Sequence, residues 1–202
     1  MKFVLASNNK KKLVEMREIL SELGIEVLSQ AEAGIATEPE ENGVTFEENS
    51  VIKAAAACEA SGLPALADDS GLVVDALDGQ PGVYSARYGG DGLDDKGRYE
   101  LLLKNMEGIE NRSARFVSCV SVVFPNGDKI TAEGTCEGSI MHTPAGDGGF
   151  GYDPVFFCND MGKSMAELTH EEKNSISHRG NAMRKFAPLL REYLEKEDRY
   201  ND

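Results

Sequence analysis

Cysteine and histidine are scarce in this 202-residue chain. Its four cysteines, Cys58, Cys119, Cys136 and Cys158, lie far apart, no two form a Cys-x-x-Cys pair, and there are only three histidines. That spacing argues against a zinc site or a disulfide framework and for reduced, buried thiols in a cytoplasmic protein. Positive charge is short too: 21 lysines and arginines face 35 acids, a net −14. So acidic a chain repels nucleic-acid backbones and anionic membrane surfaces, and neither is expected as a partner. A small phosphate ligand remains open where local cations and a metal override the general field. No apolar run approaches the length of a membrane span. The opening Phe3-Val4-Leu5-Ala6 is too short for a secretory h-region, and its lysine cluster follows rather than precedes it. With 41% hydrophobic and 28% charged residues, the chain can bury a good core as one large domain or two closely joined lobes. It shows no internal repeat, low-complexity stretch or clear linker.

The most informative stretch is Ala67-Asp68-Asp69-Ser70-Gly71-Leu72, between the apolar runs 63–67 and 72–74. The pattern predicts acids where a buried strand surfaces into a turn. Two adjacent carboxylates there repel each other and cost desolvation energy. A cation removes both penalties, and hard oxygen ligands suit Mg²⁺, above all Mg²⁺ carried on a phosphate substrate. The competing reading is an Asp-rich surface turn in which Gly71 supplies a positive φ.

Residues 2–6 read as a short buried strand. Ser7-Asn8-Asn9 offers N-cap candidates, Leu13, Met16, Leu20 and Leu23 recur at helical spacing, and Gly24 is a natural C′ residue. Strand, polar turn and helix begin an α/β unit. Lys10, Lys11 and Lys12 crowd the first turn, where the macrodipole is already positive, so each destabilises mildly unless an anion docks there. Three solvated lysines are the alternative. Residues 38–43 form an acidic loop, and Thr45-Phe46-Glu47-Glu48 has capping-box spacing ahead of a helix reaching residues 61–62. Asn49 and Lys53 share a face of that helix, beside the apolar stripe of Ile52, Ala55 and Ala56, which by itself reads as surface decoration.

Farther on, residues 79–88 form a Gly/Pro-rich loop in which Ser85 and Arg87 face an anion or brace the loop. A helix is predicted over 96–106, and strands 115–124 and 129–136 form a hairpin through Pro125-Asn126-Gly127-Asp128. The glycine-rich segment 144–154 lets backbone approach a ligand while Phe150 or Tyr152 offers a stacking face; a packed surface loop with one anchored aromatic is the other reading. The last helix carries Ala182, Met183, Phe186, Leu189, Leu190 and Leu194. His178 and Arg179 gather in its first turn, with Lys173 just upstream.

Together these segments resemble the inosine triphosphate pyrophosphatase family. Ser7-Asn8-Asn9-Lys10-Lys11-Lys12 is similar to the family's Thr-Gly-Asn-x-x-Lys phosphate loop, with Ser for Thr and Asn for Gly. Thr45-Phe46-x-Glu48-Asn49, Lys53-Ala54, Ala67 to Leu72, Pro81-Gly82-Val83-Tyr84-Ser85-Ala86-Arg87 and Gly149-Phe150-Gly151-Tyr152-Asp153-Pro154 match closely. So do Glu172-Lys173 and Ile176-Ser177-His178-Arg179-Gly180. One such motif is weak; this series in the right order is specific, and it spans nearly the whole chain.

The resemblance implies an α/β fold with a long mixed central sheet flanked by helices, two lobes with the active-site cleft between them, and a single domain over residues 1–202. It implies hydrolysis of deaminated purine triphosphates (ITP, dITP, XTP) to the monophosphate and pyrophosphate, Mg²⁺ as cofactor, and a cytoplasmic homodimer. By the same analogy Asp69 is the general base and lies against the metal together with Glu41, with Glu40 beside it. Ser7, Asn8, Asn9, Lys10, Lys11, Lys12, Lys53 and Ser70 bind the triphosphate. Phe150, Gly151, Tyr152, Asp153, Lys173, His178 and Arg179 hold base and sugar. A Maf-type pyrimidine triphosphate pyrophosphatase on a similar fold and a non-catalytic nucleotide-sensing module are the alternatives. A haloacid-dehalogenase-type phosphatase needs Asp-x-Asp, whereas here Asp68 and Asp69 are adjacent.

Overall fold

Alternation of short strands with helices carries through the chain. The computed structural model describes the backbone of residues 1–201 and the side chains of residues 1–196 except Lys11 and Glu15. The order is β1 (Lys2–Leu5), α1 (Lys10–Ser21), β2 (Glu26–Ser29), α2 (Phe46–Ser61), β3 (Ala65–Val74), α3 (Asp95–Asn105), β4 (Ser113–Val123), β5 (Lys129–Ile140), β6 (Phe156–Cys158), β7 (Lys163–Ser164), α4 (His170–Ile176) and α5 (His178–Asn201). The seven strands form a sheet ordered β2-β1-β3-β4-β5-β6-β7. It is mixed, as the resemblance implied: β1 runs parallel to β2 and β3, while β6 is antiparallel to β5 and β7.

The chain divides into two compact units. The first holds Met1–Asp69, Ser118–Gly134 and the residues from Ala182 on. Phe3, Leu5, Met16, Leu20, Leu66 and Phe186 dominate its core. The second holds Ser70–Val117 and Thr135–Asn181, built around Leu72, Leu102, Met106, Phe116, Val155 and Phe156.

Local signals are realised where predicted. Asn9 caps α1, its Oδ1 accepting from the Lys12 N–H at 3.3 Å. Thr45 Oγ1 accepts from the Glu48 N–H at 3.1 Å, and Gly62 closes α2 in the left-handed conformation at φ 67°. The Asn-Gly turn joins β4 to β5, with Gly127 at φ 92° and the Phe124 N–H on Asp128 O at 2.9 Å. β5 runs on to Ile140, beyond the predicted end at residue 136.

Two expectations change. The acids do not sit in a turn, because β3 is one continuous strand of ten residues and Asp68 and Asp69 are its fourth and fifth. β1 pairs with β3 only at Val4↔Ala65 and Leu5↔Leu66, so β1 stops while β3 continues, uncovering the carboxylates beyond the end of its neighbour. Gly71 is buried within the strand and is not at positive φ, which removes the surface-turn reading. The buried face of α2 also differs: it comprises Phe46, Asn49, Ser50, Ala54, Ala57 and Cys58, whereas Ala55 is exposed. Small residues let this face approach the sheet closely, and Ser50 Oγ meets Ser121 Oγ at 2.6 Å. Size and hydrogen bonding, rather than the most apolar stripe, chose it.

Candidate active site

Asp69 reaches its place on β3 and Lys53 reaches it from the buried face of α2. Lys53 Nζ donates to Asp69 Oδ1 at 2.9 Å and lies 3.2 Å from Glu41 Oε2, so one ammonium joins both carboxylates. Burial presses the Lys53 pKa down, but Asp69, Glu41 and Asp68 outweigh it and raise it above the ordinary lysine value. The Asp69 pKa is raised as well: burial disfavours the anion and Glu41 adds repulsion, against the opposing pull of Lys53 and the neighbouring Asn49 amide. Lys53 therefore stays charged while Asp69 becomes a stronger base than an exposed aspartate.

The first turn of α1 adds a second cationic contact. Lys12 Nζ lies 2.8 Å from Asp68 Oδ1. Ser7, Asn8 and Lys12 line a cavity of about 390 Å³ together with Glu41, Lys53 and Asp68, the size of a small-molecule site. Ser7 Oγ accepts from the Asn9 N–H at 3.2 Å, which ties the turn to the helix cap. Lys10 is exposed, and the Lys11 side chain lies outside the described residues.

Hard oxygen donors at this point fit Mg²⁺. Asp69 Oδ2 is a buried acceptor with no hydrogen-bond partner among the described residues, and Glu41 shares an ammonium with Asp69 Oδ1. No group of three or more His, Cys, Asp or Glu suited to a metal occurs among the described residues. Two carboxylates with no further protein ligands suit Mg²⁺ that arrives on a triphosphate, since Mg²⁺ takes one or two carboxylates and completes its shell with phosphate and water.

In the second unit, the glycine-rich segment and α4 converge. The Phe150 N–H and Lys173 Nζ both donate to Asp153 Oδ2, at 2.9 and 2.5 Å, and Lys173 sits 4.8 Å over the Phe150 ring. Gly149, at φ 77°, must be glycine because a Cβ there would overlap the Asp153 carboxylate. The two aromatics part company. Phe150 is 59% exposed, whereas Tyr152 is buried with its hydroxyl donating to Ser85 O at 2.7 Å, and burial pushes its pKa up. Asp95 Oδ2 accepts the Gly151 N–H at 2.8 Å. Ser85 is a brace, its Oγ accepting from the Leu72 N–H and donating to Gly82 O. Ser70 lies half-buried on β3, His178 stacks on Phe116 with ring centroids 5.1 Å apart, and Arg179 follows half-buried on α5.

Sequence reasoning placed Asn49 on the Lys53 face but read the pair as surface decoration, whereas Asn49 is buried; it passed over the Asp68 partner of Lys12 and the Asp95 hold on the glycine-rich segment. Spacing carried the first: Asn49 and Lys53 are one helical turn apart, and a lysine drawn to Asp69 brings Asn49 with it. Nothing local marks the other two.

The sequence model of the Ham1 family matches residues 3–189. A dITP/XTP pyrophosphatase of Desulforamulus reducens is 50% identical over 200 residues, covering 98% of this chain and 100% of that protein. One of Bacillus subtilis is 48% identical over 189 residues, covering 93% and 96%. The solved structure of a HAM1 protein from Coxiella burnetii matches with a TM-score of 0.91 at 42% identity, covering 95% of this chain and 99% of that one.

Proposed function

Because this chain belongs to the Ham1 family, we propose that it hydrolyses deaminated purine nucleoside triphosphates (ITP, dITP and XTP) between the α and β phosphates, giving the monophosphate and pyrophosphate. The observation that carries the reading is the clasp of Lys53 between Asp69 and Glu41 beside a cavity that also presents Lys12.

In this reaction water attacks the α phosphorus, a new P–O bond forms, and the bond to the bridging oxygen breaks with its electron pair leaving on pyrophosphate. Asp69 takes the proton from the attacking water, and its raised pKa makes it more effective in that role than an ordinary aspartate. Lys12, Lys53 and the N-terminus of α1 meet the charge that builds on the departing pyrophosphate. Ser7, Asn8, Asn9, Lys10 and Ser70 would complete the triphosphate's surroundings. Asp69 and Glu41 would hold Mg²⁺, which when bound supplies positive charge against the triphosphate. Phe150 would offer its exposed ring to the base, the resemblance assigns Gly151, Asp153, Lys173, His178 and Arg179 to base and sugar, and Tyr152 braces the segment through its bond to Ser85 O. The reading treats the chain as a single pyrophosphatase domain acting as a cytoplasmic homodimer. The four free, buried cysteines suit a reducing compartment.

In the presence of Mg²⁺ the purified protein should hydrolyse dITP to dIMP and pyrophosphate in equal amounts, and chelation of the divalent metal should stop it. Release of orthophosphate, with no inorganic pyrophosphatase present, would refute the cleavage position. Equal or better turnover of pyrimidine triphosphates would refute the substrate class.

A further inference from the structure

Asn49 lies on the face of α2 that carries Lys53 one turn later, with 1% of its surface exposed. Its Oδ1 accepts the Gly43 N–H at 2.9 Å. A backbone N–H can only donate, so this bond selects one of the two amide flips and turns Nδ2 the other way. Nδ2 has no hydrogen-bond partner among the described residues, and neither has the buried Asp69 Oδ2. The two side chains are neighbours, since the Asn49 amide acts on the Asp69 carboxylate. A buried donor and a buried acceptor left side by side are each costly until they bond to one another or to one shared water.

Gly43 supplies an independent sign that this contact is built. A Cβ on Gly43 would lie 2.6 Å from Asn49 Oδ1 and 2.7 Å from Glu48 Cβ, so the loop backbone presses against α2 and only glycine fits. Glu41, two residues earlier in the same loop, reaches Lys53. One helix face thus meets both carboxylates through the Lys53 ammonium, and meets Asp69 and the backbone of the Glu41 loop again through the Asn49 amide.

Building on the reaction proposed above, we propose that Asn49 is a positioning residue: it clamps the acidic loop through Gly43 while its amide nitrogen orients the Asp69 carboxylate, fixing Glu41 and Asp69 relative to each other. It acts on the reaction through Asp69 and Glu41 rather than on the substrate itself. Its effect falls on turnover, because a displacement of about 1 Å in a reacting group can cost about a hundredfold in rate.

Two substitutions separate this role from that of a simple loop tether. Asn49→Asp keeps an oxygen for the Gly43 N–H and replaces the nitrogen that faces Asp69; Asn49→Leu removes both contacts at similar volume. Each should lower kcat on dITP by about a hundredfold with KM changed by no more than about threefold. A folded Asn49→Asp protein that keeps its kcat would make Asn49 a tether only and overturn the proposal. Should the variants fail to fold, NMR of the unsubstituted protein without added metal decides. One proton of the Asn49 side-chain NH₂ should be shifted downfield and protected from exchange, and Asp69→Ala should abolish that shift. Free exchange, unaltered by Asp69→Ala, overturns the proposal. A protein that leaves dITP intact while showing the amide signature sinks the proposed reaction and upholds the Asn49–Asp69 contact.

Discussion

Lys12 and Asp68 form an ion pair at 2.8 Å in which the aspartate side chain is wholly buried and the lysine retains 21% exposure. The lysine that looks unfavourable at the start of α1 is thus matched by a carboxylate on β3. The pair also sets Lys12 at the wall of the cavity rather than in solvent.

Lys12→Ala should therefore destabilise the metal-free protein. Removing one partner of a wholly buried pair costs about 3–5 kcal/mol, and the partial exposure of Lys12 reduces that to about 2 kcal/mol. Urea unfolding of Lys12→Ala beside the unsubstituted protein measures it. Unchanged or higher stability would return Lys12 to the status of a solvated helix-start cation waiting for an anion.

Asp69 links stability to pH. Its folded pKa lies above the ordinary 3.8, so the folded state holds a proton that the unfolded chain has already released. Stability without metal should fall as pH rises from near that ordinary value through the raised one, and then level off. Asp69→Asn lacks this slope. The difference in unfolding free energy between the two proteins should accordingly decline across that window, followed by urea melts from acid to neutral pH; a flat difference would deny the raised pKa. The same substitution should lower kcat by about two to four decades, the usual effect of removing a positioned base.

Phe150 and Tyr152 should behave oppositely on substitution. Phe150→Ala should leave thermal stability unchanged and weaken dITP binding by roughly tenfold or more, as loss of a stacking face worth about 1–3 kcal/mol per base requires. Tyr152→Phe should lower stability by about 1 kcal/mol, the value of its buried bond to Ser85 O, and leave KM in place. Calorimetry and steady-state kinetics on the two variants separate the roles, and an unchanged KM in Phe150→Ala would remove its ring from base recognition.

We propose His178 and Arg179 as readers of the purine C6 position, with the backbone N–H groups of residues 150–153 as the alternative. Inosine presents a carbonyl acceptor there and adenosine an amino donor, and a guanidinium has donors only. Arg179→Met should cost more with ITP than with ATP and so narrow the selectivity ratio. Equal proportional losses would assign Arg179 to phosphate, sugar or scaffold.

Much of the fold was legible because its signals are local. Asn9 and Thr45 cap helices, Gly62 ends one, and Asn126-Gly127 turns a hairpin, each through bonds spanning a few residues. The misread elements depend on distant partners. Asp68 and Asp69 were expected at a strand end, and only the early termination of β1 explains how acids in mid-strand are uncovered. The buried face of α2 was misjudged because Ser121 on β4 draws Ser50 inward, and no periodicity within residues 46–61 records that. Phe150 and Tyr152 carry similar rings two residues apart, and the Ser85 carbonyl decides which is buried.

The sequence by itself determined which chemical groups this protein has and their order along the chain: adjacent aspartates flanked by apolar runs, lysines at a helix start, a lysine one turn from an asparagine, and a glycine-rich aromatic segment. Those were enough for the family, the class of fold and the class of reaction, because residue type and spacing are properties of the chain. Tertiary structure alone decided the state of those groups. Burial and the nearby Glu41 raise the pKa of Asp69 against the pull of the shared ammonium, a strand outrunning its neighbour uncovers it, and the flip of the Asn49 amide follows from the Gly43 N–H. Charge, desolvation and hydrogen bonding depend on what lies within a few ångströms in space, and that neighbourhood exists only once the chain has folded.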